Sequence, residues 1–213
     1  MEAAAATPDL ILDAAEGLFA AQGFDATTIK QIGARAGANP ALIYYYFQSK
    51  DGVYREVLRR LFTWLVTAAS RRLDVPMEPA AAIPAMIGFQ AERLMERPTL
   101  PRILAREMID PHADHAAEHI GQLAGLVFRR VCDLIEQGQR AGIFRADLDA
   151  RLSALSAMSL VPYTHIVRPG MGVLLGGAGQ ASDEQMQAYA RHAAAFVLSA
   201  LEARPAPASG DGS

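Results

Sequence analysis

TTIKQIGARAGANPALIYYYF, residues 27–47, is the stretch on which the fold turns. Thr28, with Gln31 three residues on, has the spacing of a capping box and opens a helix. Ile29, Ile32 and Ala36 form its apolar face, and Gly37 breaks it. Asn39 followed by Pro40 opens a second helix, with a capping residue and then a first-turn proline. This second helix ends near Phe47. Within it Ile43 and Phe47 are four residues apart and share the core face. Tyr44 and Tyr45 point elsewhere, and Tyr46 falls between surface and partial burial. Two short helices around a glycine predict a helix-turn-helix.

The flanks supply the rest of a small unit. Upstream, Thr7-Pro8-Asp9 combines a cap, a first-turn proline and an acid suited to the helix dipole. Ile11, Ala15, Leu18 and Phe19 follow on one face, and Leu18 and Phe19 close the third side of the core. Gly23 ends this helix, with Phe24 packing back. Downstream, Ser49 caps a fourth helix from Lys50 to about Leu73. Beyond the proline-rich DVPMEPAAAIP, residues 74–84, helices are expected near 83–96, 100–109, 114–141, 148–167 and 183–203. RPGMGVLLGGAGQAS, residues 168–182, reads as the loop between the last two. Residues 1–6 and 204–213 read as disordered tails.

The 213 residues are 51% hydrophobic and 20% charged, enough for a substantial core. Alanine is abundant and strand-like alternation is absent, which predicts an all-α chain. A single cysteine, Cys132, excludes a disulfide framework and a cysteine-rich zinc site. The N-terminus lacks the basic and apolar regions of a signal peptide. No stretch reaches the roughly 18–20 apolar residues of a membrane span. A soluble, cytoplasmic protein with no membrane contact is expected. The formal net charge of −3 does not by itself favour nucleic acid.

In a helix-turn-helix the second helix enters the major groove and presents its N-terminal residues to base edges. Here those residues are Asn39, Pro40, Ala41 and Leu42, small or apolar, so the backbone can approach closely. Ala41 or Leu42 suits a thymine methyl. The cap-and-proline start is expected to aim free backbone N–H groups at a phosphate. The rings of Tyr44 and Tyr45 can pack on protein while their hydroxyls face phosphate oxygens. Lys50 is placed to reach the same backbone. The competing reading of residues 39–47 is an aromatic core helix of an unrelated bundle.

Residues 8–60, PDLILDAAEGLFAAQGFDATTIKQIGARAGANPALIYYYFQSKDGVYREVLRR, resemble the DNA-binding domain of the tetracycline-repressor (TetR) family. The resemblance lies in ILDAAEGLFAAQGF, then TTIKQIGARAG, then a short YYYF helix followed by SK. It implies an all-helical homodimer whose first three helices bind double-stranded, near-palindromic operator DNA. It also implies a larger C-terminal domain that dimerises and binds a small effector. Residues 7–50 would form the reading head, extending to about 67 through the fourth helix, and 51–203 the effector and dimerisation domain. Carried over by position, Thr28 contacts phosphate at the start of the second helix and Lys30 lies on that helix's DNA-near side. Asn39, Pro40, Ala41 and Leu42 lie at the base-reading end, and Tyr44, Tyr45 and Lys50 on phosphate-contacting positions. Pro40-Ala41 departs from the polar or glycine residues common there. A basic N-terminal arm is also missing. Residues 1–60 set Lys30, Arg35, Lys50, Arg55, Arg59 and Arg60 against Glu2, Asp9, Asp13, Glu16, Asp25, Asp51 and Glu56.

The implied function is a transcriptional regulator, a repressor released by a small and largely apolar effector, and not an enzyme. DNA and effector would each select one spacing of the reading heads, with the fourth helix coupling them. Trp64, Phe89, Met108, Phe128, Met158 and Tyr163, with Met86 and Met95, are candidate pocket linings. Glu92 or Glu107 would face a cationic ligand. Apolar stripes at 148–167 (Leu152, Leu155, Met158, Leu160) and 183–203 (Tyr189, Phe196, Val197, Leu201) are expected to form the dimer interface.

Other signals point elsewhere. His112, His115 and His119 have metal-like intervals beside Asp110, Asp114 and Glu118. A solvated acidic first turn explains the same residues. The alternative function is therefore a metal-dependent helical-bundle enzyme using those histidines. A regulator that acts without an effector, through protein contacts, is a further one. GMGVLLGGAG lacks the preceding strand of a dinucleotide loop. Cys132, among Phe128, Val131 and Ile135, reads as structural. No cofactor and no bound metal is expected.

Overall fold

The computed structural model describes residues 7–73, 75–109, 121 and 124–203. The helices are α1 (Pro8–Ala26), α2 (Ile29–Ala36), α3 (Pro40–Phe47), α4 (Lys50–Leu73), α5 (Pro79–Glu96) and α6 (Thr99–Ile109). A π-helical turn, Ala124–Phe128, leads into α7 (Arg129–Arg140), followed by α8 (Ala150–Leu174) and α9 (Asp183–Leu201). Among the described residues there is no strand, only an isolated bridge between Phe144 and Glu202. The fold class is all-α, as the composition predicts. No helix among the described residues is long and apolar enough to cross a membrane.

The chain forms two compact units. One holds residues up to Arg72, Arg93–Leu126 and His165–Val167, and the other holds the remainder.

In the first unit, local chemistry sets the helix ends. The Thr7 hydroxyl accepts from Leu10 N–H at 3.4 Å, and Pro8 follows in the first turn. Regular geometry in α1 is interrupted at Gly23, whose φ is +84°, and the chain continues as a turn to Ala26. The Phe24 ring then returns to within 6.1 Å of Phe19 and 5.0 Å of Tyr54. The turn between α2 and α3 depends on two glycines. Gly37 caps α2 in the left-handed region at φ +67°, where a Cβ is strained. A Cβ on Gly33 would lie 2.6 Å from the Ala38 carbonyl oxygen. Ser49 starts α4 by accepting from Gly52 N–H at 2.9 Å.

Ile11, Phe19, Ile32, Ile43, Val53, Val57, Leu58 and Leu61 are buried and form the core of this unit. Each such side chain contributes about 1.5–3 kcal/mol on full burial. α6 packs on α1. The Tyr54 hydroxyl donates to buried Glu107 at 2.6 Å.

In the second unit, α7 buries Val131, Cys132, Leu134 and Ile135, α8 buries Ala154, Ala157 and Val161, and α9 buries Met186, Ala193, Val197 and Leu201. Burial pushes the Cys132 thiol above its ordinary pKa, which keeps it protonated and a poor nucleophile at neutral pH. This agrees with a structural role.

Two boundaries differ from the sequence reading, both at prolines. α5 begins at Pro79 and runs through Pro84, because Glu78 accepts from Ala81 and Ala82 N–H at 2.9 Å. α8 runs through Pro169 to Leu174, so its last turns occupy half of the expected loop. The returning chain secures these turns. Ala181 N–H donates to the Arg168 carbonyl at 3.1 Å, Gly177 N–H to the Gly172 carbonyl at 2.8 Å, and Arg168 Nε to the Ala181 carbonyl at 2.9 Å. These bonds offset the roughly 3 kcal/mol cost of an interior proline.

Candidate nucleic-acid interface

α2 and α3 present the predicted residues from short, firmly capped helices. Thr28 and Gln31 form a complete capping box. The Thr28 hydroxyl accepts from Gln31 N–H at 3.2 Å, and Gln31 Oε1 accepts from Thr28 N–H at 2.9 Å. Gln22 of α1 also donates to Gln31 Oε1, at 3.2 Å, so the cap is tied to the preceding helix. The Thr28 O–H donates to Gln31 Oε1 at 3.1 Å and can turn to a phosphate without losing the amide bond it accepts. Lys30 is exposed on the same helix.

On α3 the core contact is Ile43, which is fully buried, with Phe47 half-buried beside it. Tyr44 is 51% exposed and Tyr45 79% exposed. Tyr46 is exposed as well, against the partial burial weighed for it, with its ring 5.2 Å from that of Tyr45. Three phenols therefore stand on the surface of one short helix. Each carries an apolar ring and a hydroxyl that can donate to a phosphate oxygen without bringing charge.

Two expectations change in detail. The first amides of α3 are not free. Pro40 has no N–H, Asn39 Oδ1 accepts from Ala41 N–H at 2.9 Å, and the Asn39 carbonyl accepts from Leu42 N–H at 2.9 Å. This cap uses one of the two lone pairs of Asn39 Oδ1 and fixes the side chain against its own helix, so bidentate recognition of adenine would require turning it away, at about 1 kcal/mol for the lost cap. Pro40 and Ala41 are exposed and Leu42 is half-buried. The second change is at Lys50. Its Nζ donates to the Phe24 carbonyl at 2.9 Å and the Asp25 carbonyl at 3.4 Å, and it lies 4.2 Å over the Phe24 ring. Lys50 thus clamps the end of α1 and keeps one N–H for an outside partner.

Among the described residues, Trp64 is the predicted effector residue that lines a cleft in the first unit. This cleft of about 480 Å³ is bounded by α4 and the segment around Arg93 and Arg97, and it carries five arginines. Phe89, Phe128 and Met158 are half-buried in the second unit, and Tyr163 is 61% exposed. The side chain of Met108 and the cluster His112, His115 and His119 lie outside the described residues. Glu107 is buried and accepts from the Tyr54 hydroxyl.

Sequence reading missed buried Glu16. It accepts from Arg60 Nη2 at 2.8 Å, Arg97 Nη1 at 3.3 Å and the Thr99 hydroxyl at 2.6 Å. An acid interrupting the apolar run of AAEGLF is the signal that could have found it.

Comparison with known proteins agrees with this geometry. Residues 11–57 match "Bacterial regulatory proteins, tetR family", and residues 79–197 match "Tetracyclin repressor-like, C-terminal domain". The chain is 32% identical over 145 residues to the transcriptional repressor NicS of Pseudomonas putida, covering 67% of this chain and 68% of NicS. In fold it is similar to the ketosteroid transcriptional regulator KstR2 of Mycobacterium tuberculosis (TM-score 0.72, 22% identity, covering 95% and 100% of the two chains). It is similar also to FadR of Bacillus subtilis, whose structure contains stearoyl-CoA (TM-score 0.69, 15% identity, 91% and 99%). With both parts matched and a repressor related over two thirds of its length, this chain belongs to the tetR family of DNA-binding, helix-turn-helix transcriptional regulators.

Proposed function

We propose that the chain is a homodimeric repressor that grips near-palindromic operator DNA with α2 and α3 and releases it when a small molecule binds. The observation that carries this is the capped pair of short helices with Tyr44 and Tyr45 exposed beside buried Ile43. Residues 7–50 act as the reading head and 51–203 as the effector and dimerisation part. Thr28, Lys30, Tyr44, Tyr45 and the remaining N–H of Lys50 hold phosphates. Asn39, Pro40, Ala41 and Leu42 meet the bases. The family is one of regulators, not enzymes, and such a repressor works beside the chromosome, in the cytoplasm. Release by an effector is supported by the structural relative that holds stearoyl-CoA.

Binding-site selection on random DNA tests the reading. It should enrich a site whose half-site centres lie about one helical turn, roughly 34 Å or a little more, apart. No enrichment over the input pool would overturn it. Tyr44→Phe removes only a hydroxyl and is expected to weaken operator and unrelated DNA alike, by about 0.5–1.5 kcal/mol in a mobility-shift titration. A changed base preference with unchanged general affinity would move Tyr44 from phosphate to base.

The proposed dimer interface lies on α8 and α9. Leu152, Leu155 and Tyr163 of α8 and Phe196 of α9 are all exposed. Tyr189, His192 and Phe196 form a ring ladder along α9, with centroids 6.4 and 6.1 Å apart. Val197 and Leu201, expected in the same stripe, are buried in their own chain. Leu155→Glu places a charge in both halves of a two-fold interface. It should raise the dimer dissociation constant at least about thirtyfold, as read by light scattering. A variant that remains dimeric at low micromolar concentration would place the interface elsewhere.

A further inference from the structure

The cleft of the first unit has a wall chemistry that neither DNA reading nor an apolar ligand explains. Arg59, Arg60 and Arg71 reach it from α4, Arg93 and Arg97 from the segment that follows α5's midpoint, and Trp64 lies among them. Among the described residues, no carboxylate lines it. The acids that balance these arginines are not among the lining residues. Asp13 and Glu16 hold Arg60, Glu16 also holds Arg97, Glu96 holds Arg93 and Glu56 holds Arg59. The pairing positions the guanidinium groups but does not exhaust them. Arg97 engages Glu16 through Nη1, which leaves its Nη2 and Nε, and Arg59 engages Glu56 through Nε and Nη2, which leaves its Nη1. Arg71 has no ion pair among the described residues.

Trp64 adds a flat support. The Arg97 and Arg93 guanidinium carbons lie 5.3 and 5.8 Å from its ring centroid, within cation–π range. Thr63 and Thr67, one helical turn apart on α4, add two hydroxyl donors to the same wall. The volume, about 480 Å³, is that of a small-molecule site. An apolar occupant would desolvate several guanidinium groups without compensation. A single acid group would satisfy one or two forks and leave the rest.

We propose that this cleft binds a small organic anion carrying two or more acidic groups, phosphate or carboxylate. The acid groups take the free guanidinium N–H groups and the threonine hydroxyls. Arg71 supplies an uncommitted charge at the far end. The proposal goes beyond the regulator reading and does not depend on DNA.

Trp64 is the chain's one tryptophan, so intrinsic fluorescence reports on the cleft directly. The full-length protein, free of DNA, is titrated with pyrophosphate and separately with citrate, at ionic strength held constant with sodium chloride. A saturable change with either anion is expected, and which one binds more tightly assigns the acid as phosphate or carboxylate. Arg71→Gln should weaken that binding about tenfold or more, as loss of a charge-assisted contact does. Arg72→Gln, which removes the same charge one residue away from the lining, should leave it within about twofold, because screening makes a single distant charge weak. Circular dichroism checks that both variants are folded. No saturable change up to about 10 mM of either anion, at that screened ionic strength, overturns the proposal. Equal losses in the two variants do the same, since they would mean general charge attraction. A wild-type protein with no fluorescence response to either anion, together with weaker DNA binding by Arg71→Gln, would assign the arginine to the DNA backbone and overturn it as well.

Discussion

Operator affinity is expected to fall with salt along a log–log slope of about −4 to −5, less than half as steep as for a strongly cationic reader. The reason lies in how the cations of the reading head are spent. Arg55 is paired with Asp51 at 2.7 Å, Arg59 with Glu56, and Arg60 with Asp13 and Glu16 at 2.7 and 2.8 Å. Lys50 is bound to two carbonyls. Lys30 and Arg35 carry no ion pair among the described residues. Each subunit thus offers two or three cations, a dimer about four to six, and each neutralised phosphate contributes about −0.9 to the slope. The hydroxyls of Thr28, Tyr44 and Tyr45 would grip phosphate without releasing counterions. Over a fourfold rise in salt such a slope is a loss of several hundredfold. Lys30→Gln should make the slope shallower by nearly two, because both subunits lose a contact, and should leave base preference unchanged. Lys50→Ala should also make it shallower but lower the melting temperature, since it removes the clamp on Phe24 and Asp25. The measurement is fluorescence anisotropy with a labelled operator at stepped salt. A wild-type slope near −10 would mean that other cations dominate and that the tyrosines are secondary.

Much of the reading head was legible because its signals are local. Thr7, Thr28 with Gln31, Asn39 with Pro40, and Ser49 each cap the helix that follows them. A capping preference acts over three or four residues and survives in any tertiary setting. The exposure of Tyr44 and Tyr45 followed from the same source, since burying Ile43 on an eight-residue helix leaves the neighbouring positions outward. What was not legible depends on partners distant in sequence. Lys50 turned inward because the broken end of α1 offers it the Phe24 and Asp25 carbonyls there. Trp64 was read as apolar lining, yet its neighbours are arginines from positions 59–97 that meet only when α4 and α5 are in place. Proline misled twice, at α5 and α8, where tertiary hydrogen bonds carried the helix past the residue expected to stop it.

Glu16→Ala should be strongly destabilising for the truncation of a polar side chain in the first unit. Glu16 is 7% exposed and takes three donors from two distant segments: Arg60 on α4, Arg97 before α6, and Thr99 at the start of α6. It is the joint by which α1 is fastened to the rest of its unit. Removing one member of a buried ion pair costs about 3–5 kcal/mol, because the partner is left charged and unpaired. Two features reduce that figure here. Arg60 retains Asp13 at 2.7 Å, and the Arg60 and Arg97 side chains keep 21% and 31% of their surface in solvent. A loss of about 2–4 kcal/mol is therefore expected, with Thr99 and Arg97 carrying most of it. For a chain of this length each kcal/mol lowers the melting temperature by about 2–4 °C, so the variant should melt roughly 5–15 °C early. Glu16→Gln keeps the shape and the hydrogen bond from Thr99 but loses the charge, and should fall about midway. Differential scanning calorimetry of the three proteins at neutral pH gives the result. A Glu16→Ala shift under about 2 °C would mean that solvent replaces the carboxylate at no cost and that the fastening of α1 rests on its apolar face alone.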